Sequence, residues 1–213
     1  MIQKMIDAIG ACFPLTELGC GEYAKQKVSG MNFTIRRFYA EGIGNVSSMV
    51  ASGFFGLMKM DTLIITPTEK DMPLFSYDRV HAMGNDTLIF ELYDTLLDHT
   101  DLSALQAAKD QAAQLPEHDL GAHWYDSIKL PVSLSKKGKK AHTAAFNSCA
   151  MQYLEAFLAT SQNAAPCEAE PKREKASVYV EGLLTHGGPS TDVFKKGIGD
   201  EKTPQLFRNI LFG

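Results

Sequence analysis

The strongest constraint on the fold is a change of period near residue 33. From there to residue 94 apolar side chains recur at intervals of two, the spacing of strands with a buried face. "NFTIRRFYAEG" sets Phe33, Ile35, Arg37 and Tyr39 on one face and Thr34, Arg36 and Phe38 on the other. "NVSSMVASGFF" and "MDTLIITP" follow, separated by Gly56, and "TLIFELYD" adds a fourth strand. Four successive strands predict an antiparallel meander rather than a βαβ array. Between the third and fourth lies "PTEKDMPLFSYDRV", residues 67–80. Its prolines and acidic groups predict a loop. The mixture of Met72, Leu74 and Phe75 with Tyr77 and Asp78 makes that loop a candidate site rim.

Outside this region the pattern is mostly helical. Residues 1–28 predict one or two helices, broken near Pro14 and Gly19–Gly21. Residues 101–115 predict a helix with Asp101 as N-cap. "SIKLPVSLS" alternates Ile128, Leu130, Val132 and Leu134 and predicts a strand, with Pro131 near an edge or bulge. In "AHTAAFNSCAMQYLEAFLA" the residues Phe146, Cys149, Ala150, Tyr153, Leu154, Phe157 and Leu158 form one apolar stripe at helical spacing. Residues 160–175 predict a long loop, and a helix follows from about Lys175 to Leu184. "HGGPSTDVFKKGIG" predicts a turn and a helix capped by Ser190 or Thr191 and stopped at Gly199. "TPQLFRNILF" predicts a last short helix. The order gives an α+β chain whose antiparallel sheet is covered on both faces.

Composition narrows the function. The 213 residues fit one large domain or two small ones. A net charge of −4 supplies no overall basic field for nucleic acid. No apolar run is long enough to span a membrane, so no membrane partner is expected. The four cysteines form no CxxC pair, and free thiols in the cytoplasm are expected. His118 and His123 are five apart, not the pairing of a helical metal site, and no metal is expected. "GIGNVS" lacks the third glycine of a dinucleotide loop and reads as a hairpin turn; "GIGDEKT" reads as a helix stop. Arg36 and Arg37 lie one on each face of a strand, and a buried one needs an ion pair or a ligand carboxylate. Lys136, Lys137, Lys139 and Lys140 cluster in "SKKGKK", either a solvated turn or a dock for an acidic partner. Asp94 closes its strand either as a turn cap or as a carboxyl group facing a cavity.

"PTEKDMPLFSYDRV" followed by "LIFELYD" resembles the ferredoxin-dependent bilin reductases, where a loop of the form D-x-P-x-F-G-x-D precedes a strand carrying the proton-donating aspartate. Here the loop runs from Asp71 to Asp78 and the later aspartate falls on Asp94. "HWYDSIKLPVSL" is similar to a Trp-containing segment of that family, and "DVFKKGIG…LFRNILF" to its closing helices. The likeness runs from about residue 33 to the end, and red chlorophyll catabolite reductase is related kin. The sequence departs from the pattern at Ser76, which replaces a glycine, and at Tyr77, which replaces a ligand-touching histidine or asparagine. It departs again in "THGGPST", which lacks a second aspartate and leaves His186 as the nearest proton carrier. The resemblance implies a three-layer α/β/α sandwich formed by residues 1–213 as a single domain. It implies a linear tetrapyrrole between the sheet and the C-terminal helices, no tightly bound cofactor, and single electrons from ferredoxin or flavodoxin. Catalysis would fall to Asp94 and His186. Phe75, Tyr77, Asp78 and Arg37 would contact the substrate. Lys136, Lys137, Lys139, Lys140, Lys195 and Lys196 would dock the acidic donor. The alternative is a non-catalytic bilin- or haem-binding protein of the same fold.

Overall fold

The computed structural model describes residues 1–213. It is an α/β/α sandwich around one eight-stranded antiparallel sheet. After α1 (Ile2–Cys12) come β1 (Leu15–Leu18), β2 (Lys25–Val28), β3 (Met31–Ala40), β4 (Gly44–Gly53), β5 (Met58–Pro67), β6 (Leu74–Ala82) and β7 (Asn85–Tyr93). Then follow α2 (Ser103–Gln111), β8 (Leu134–Lys139), α3 (Thr143–Asn163), α4 (Ala169–His186), α5 (Pro189–Ile198) and α6 (Lys202–Leu206), which continues as a wide turn over Phe207–Leu211. The strands lie in the order β1-β3-β4-β5-β6-β7-β8. β2 pairs with the start of β3 and β1 with its end.

The meander therefore has five long strands where the sequence predicts four. The added one is β6, inside the stretch read as a loop. Only residues 68–73 connect β5 to it. Both of its faces carry polar groups, Ser76 and Asp78 on one and Arg79 on the other, which hides the alternation. The β6–β7 turn, Met83 (φ 50°) and Gly84 (φ 77°), is left-handed at both positions. That is the two-residue turn whose twist matches a hairpin. Ser29 and Gly30 make the same turn between β2 and β3.

Other expectations shift. Residues 15–18 and 25–28 are short edge strands, not helix. Residues 128–133 lie outside any strand, and β8 begins only at Leu134, so the "SKKGKK" lysines lie largely within a strand. α4 starts at Ala169 rather than near Lys175, with Pro171 in its first turn, where a missing N–H costs nothing. The cap of α5 is Gly188, with Pro189 at the first helical position.

The two faces of the sheet are covered by different helices. On one, α1, α2 and α3 bury Leu63, Ile65, Phe75, Tyr77, Phe90 and Leu92 against the apolar stripe of α3. Each such side chain contributes roughly 1.5–3 kcal/mol by leaving water. On the other, α4, α5 and α6 cover Phe33, Ile35, Met49 and Ile64. Because residues alternate along β6 and β7, Ser76, Asp78, Ile89, Glu91 and Tyr93 point toward this second layer.

Candidate functional site

The second layer does not fill its space. A cavity of about 220 Å³ lies between β4–β7 and the C-terminal helices. Met49, Met60, Ile64, Val80 and Ile89 make an apolar floor. Leu183, Phe207 and Phe212 close the roof, and Pro189, Ser190 and Thr191 bring the start of α5 to its wall. An aromatic wall stands at one side: Tyr93 stacks on Tyr179 with ring centroids 3.8 Å apart, and Tyr125 meets both edge-on. Flat conjugated ligands suit such surfaces.

Two carboxyl groups project into this apolar space. Asp78 is opposite Thr62 on β5 and Ile89 on β7. Burial pushes its acid range up to about 6, and the charge of Glu91 adds to the rise; hydrogen bonds from Thr62 and Ser76 oppose it. Thr62 Oγ1 donates to Asp78 Oδ1 at 2.5 Å. The surface Asp78 retains faces the cavity. Glu91 is cross-strand from Ser76. Its Oε2 accepts from the Tyr93 hydroxyl at 2.6 Å, while Oε1 is buried with no hydrogen bond and lies 3.7 Å from Lys129 Nζ. No lysine or arginine lines the cavity. No group of three His, Cys, Asp or Glu side chains is placed to hold a metal ion. Chemically, the site can offer a flat apolar slot and one carboxyl able to give or take a proton near neutral pH.

Of the expected catalytic and substrate-contacting residues, the structure brings Asp78 to the cavity and leaves Asp94, His186, Phe75, Tyr77 and Arg37 outside its lining. Phe75 and Tyr77 lie on the opposite face, because each neighbours a residue of the cavity face. Phe75 packs at 4.7 Å from Phe157, and Tyr77 at 5.2 Å from Phe90. Asp94 lies one residue beyond β7, exposed, its Oδ1 accepting the Leu96 N–H. It is a turn cap, and its expected place at the cavity is corrected. His186 ends α4, exposed, against the Trp124 ring at 5.3 Å. Arg37 donates to Asn45 Oδ1, and Asn45 Nδ2 in turn to the Leu211 carbonyl, so it anchors the C-terminal segment instead of a ligand. Arg36 pairs with Glu17.

Among the lysines, Lys136 is buried and paired with Glu117, and Lys195 donates to the Leu184 carbonyl, so neither is free to dock a partner. Lys137, Lys139, Lys140 and Lys196 are exposed, with Lys139 donating to Asn85. Glu91, Tyr93, Tyr125 and Tyr179 escaped the sequence reading. Glu91 and Tyr93 share a face with Ile89, a signal usable only once β6 is known to cover β7.

No protein-family model matches the chain, and no curated protein matches it. Solved structures do. One is the crystal structure of phytochromobilin synthase from tomato in complex with biliverdin, which aligns with a TM-score of 0.79 at 15% sequence identity, covering 99% of this chain and 81% of that one. At that identity the match shows a shared fold. No helix of the chain is long and apolar enough to cross a membrane.

Proposed function

We propose that this chain binds a linear tetrapyrrole in the cavity and reduces it with single electrons from ferredoxin or flavodoxin, Asp78 supplying the proton. The observation that carries the reading is the placement of Asp78: a carboxyl of acid range about 6 on the floor of an apolar, aromatic-walled cavity. A likeness in fold to a protein solved with biliverdin supports the ligand class. The order of motifs in the sequence supports the donor.

Asp78 is protonated in a useful fraction of molecules near neutral pH and is renewed by solvent between turnovers. Burial keeps that range raised, and the charge of Glu91 adds to it. Thr62 and Ser76 steady the carboxyl where it faces the cavity. Tyr93 and Tyr179 offer the stacking surface. With no cation in the lining, the acid groups of such a ligand project out of the cavity toward solvent. The acidic donor protein meets lysines that remain exposed, Lys137 and Lys196 among them. Residues 1–213 act as one domain, since the floor comes from residues 49–91 and the roof from residues 179–212. The four unpaired cysteines suit a cytoplasmic setting.

The test is an absorbance titration with biliverdin, followed by supply of reduced ferredoxin. The wild type should shift the biliverdin spectrum and then bleach it. Asp78→Asn should keep the shift, since one hydrogen bond contributes only about 0.5–1.5 kcal/mol. Its turnover should fall about 10²–10⁴-fold. A shift without bleaching in the wild type would assign the chain to non-catalytic binding. No shift with any linear tetrapyrrole would end the reading.

A further inference from the structure

The end of the sheet that carries the β2–β3, β4–β5 and β6–β7 turns is unlike the rest of the surface. At the β4–β5 tip, Phe54 and Phe55 both take left-handed backbone (φ 52° and 56°), followed by Gly56 at φ 83°. Phe55 is fully exposed; Phe54 and Leu57 are 55% and 69% exposed. The pairing of Met58 with Ala82 sets Leu57 beside the β6–β7 tip, where Met83 is 88% exposed. The β2–β3 turn adjoins them, since a side chain at Gly30 would reach the Phe54 ring. Four large apolar side chains thus project together from convex tips.

Exposed lysines stand around them. Lys27, Lys59, Lys139 and Lys140 lie at the same end of their strands, and all are exposed. The acidic group at this end, Asp86, is buried and paired with Arg79; Asp61, three residues up β5, faces the N-terminal ammonium. On a chain of net charge −4 this is a local cluster of lysines beside an apolar tip.

We propose that this end of the sheet docks on an anionic lipid surface, the tips of β4–β5 and β6–β7 entering the headgroup boundary while the four lysines meet the lipid phosphates and carboxylates. Convexity selects a bilayer over a folded partner. Isolated aromatic tips need a matching pocket in a protein, whereas the interface of a bilayer yields around them and rewards aromatic side chains at its depth. Lysines close to an anionic leaflet add attraction that salt screens. The contact is peripheral and needs no spanning helix. It does not rest on the tetrapyrrole reading.

The test is flotation of the full chain with vesicles of phosphatidylcholine containing phosphatidylserine, against phosphatidylcholine alone. The wild type should float with the anionic vesicles and be released by salt. Phe54→Ser/Phe55→Ser should lower partition about tenfold or more. Each of Lys59→Gln and Lys139→Gln should lower it about fivefold. All four positions are exposed, so unchanged thermal unfolding checks the fold. Phe55→Trp should show a blue-shifted emission on anionic vesicles only. Equal partition of wild type and the double Phe variant, or an unshifted Phe55→Trp spectrum, overturns the proposal. So does loss of ferredoxin-driven turnover in the Phe variants without any vesicle binding, which would give the tip to a protein partner.

Discussion

Ile89 and Phe90 are neighbours in β7, yet they meet different worlds. Phe90 is enclosed by Phe75, Tyr77 and Tyr153, with ring centroids 5.5, 5.2 and 4.4 Å away. Ile89 looks into the cavity. The carboxyl groups divide in the same way. Asp86, on the packed face, is held by Arg79 and Thr143; burial alone would raise its acid range, but those hydrogen bonds outweigh burial and hold it low. Asp78, on the cavity face, has no cation and is pushed up. One face pairs its buried carboxyl with a cation and holds the fold. The other leaves groups unmatched, and a ligand can match them.

Five substitutions probe that contrast. Phe90→Ala should cost about 3–5 kcal/mol in denaturant unfolding, because the aromatic cluster around it cannot collapse. Ile89→Ala, beside an existing void, should cost clearly less; equal losses would erase the difference between the faces. Asp86→Asn should cost about 3–5 kcal/mol at neutral pH, since it leaves Arg79 buried without its counter-charge. The stability that Asp86 contributes is present above its unfolded value of 3.8 and fades as pH falls through its lower folded value. The gap between wild type and variant should therefore narrow in acid.

Asp78→Asn should do the reverse. With a folded acid range near 6 and an unfolded value of 3.8, the stabilising proton is fully bound below about pH 4 and lost as pH rises through 6. The variant should be more stable than wild type at pH 7–8 by up to about 3 kcal/mol, with no gain near pH 4. A variant less stable than wild type at pH 8 would mean that Asp78 is matched after all. The smallest effect belongs to Asp94→Ala, an exposed turn cap, at about 0.5–1 kcal/mol with turnover near wild type. Loss of turnover in Asp94→Ala with binding intact would return the proton to that residue.

The sequence made the packed face easier to read than the cavity face. β3, β4, β5 and β7 are rich in apolar residues between short turns, and the α3 stripe is continuous, because a filled interface takes apolar residues at most inward positions. β6 was hidden because Arg79 and Asp78 put a charge on each face, and because Asp86, the partner that lets Arg79 be buried, is far enough along the chain to escape a local window. Missing β6 then misplaced Tyr77: residues adjacent in a loop can share a rim, but residues adjacent in a strand cannot. Lys136 was lost among its neighbours for a related reason. A run of lysines looks solvated until a strand turns alternate members inward.

The floor and the roof of the cavity also differ in when they can form. The floor is built from consecutive hairpins, each closing a short loop. The roof joins residues 179–212 to strands far earlier in the chain, as in the hydrogen bonds from Asn45 and Ser47 to the Leu211 carbonyl. Loop closure of that length is entropically costly, so the roof closes last and opens first. Amide exchange should be faster across α5, α6 and the turn that follows than across β4–β7. A ligand bridging floor and roof should slow it in the roof alone, and uniform protection across both layers would show that they close together.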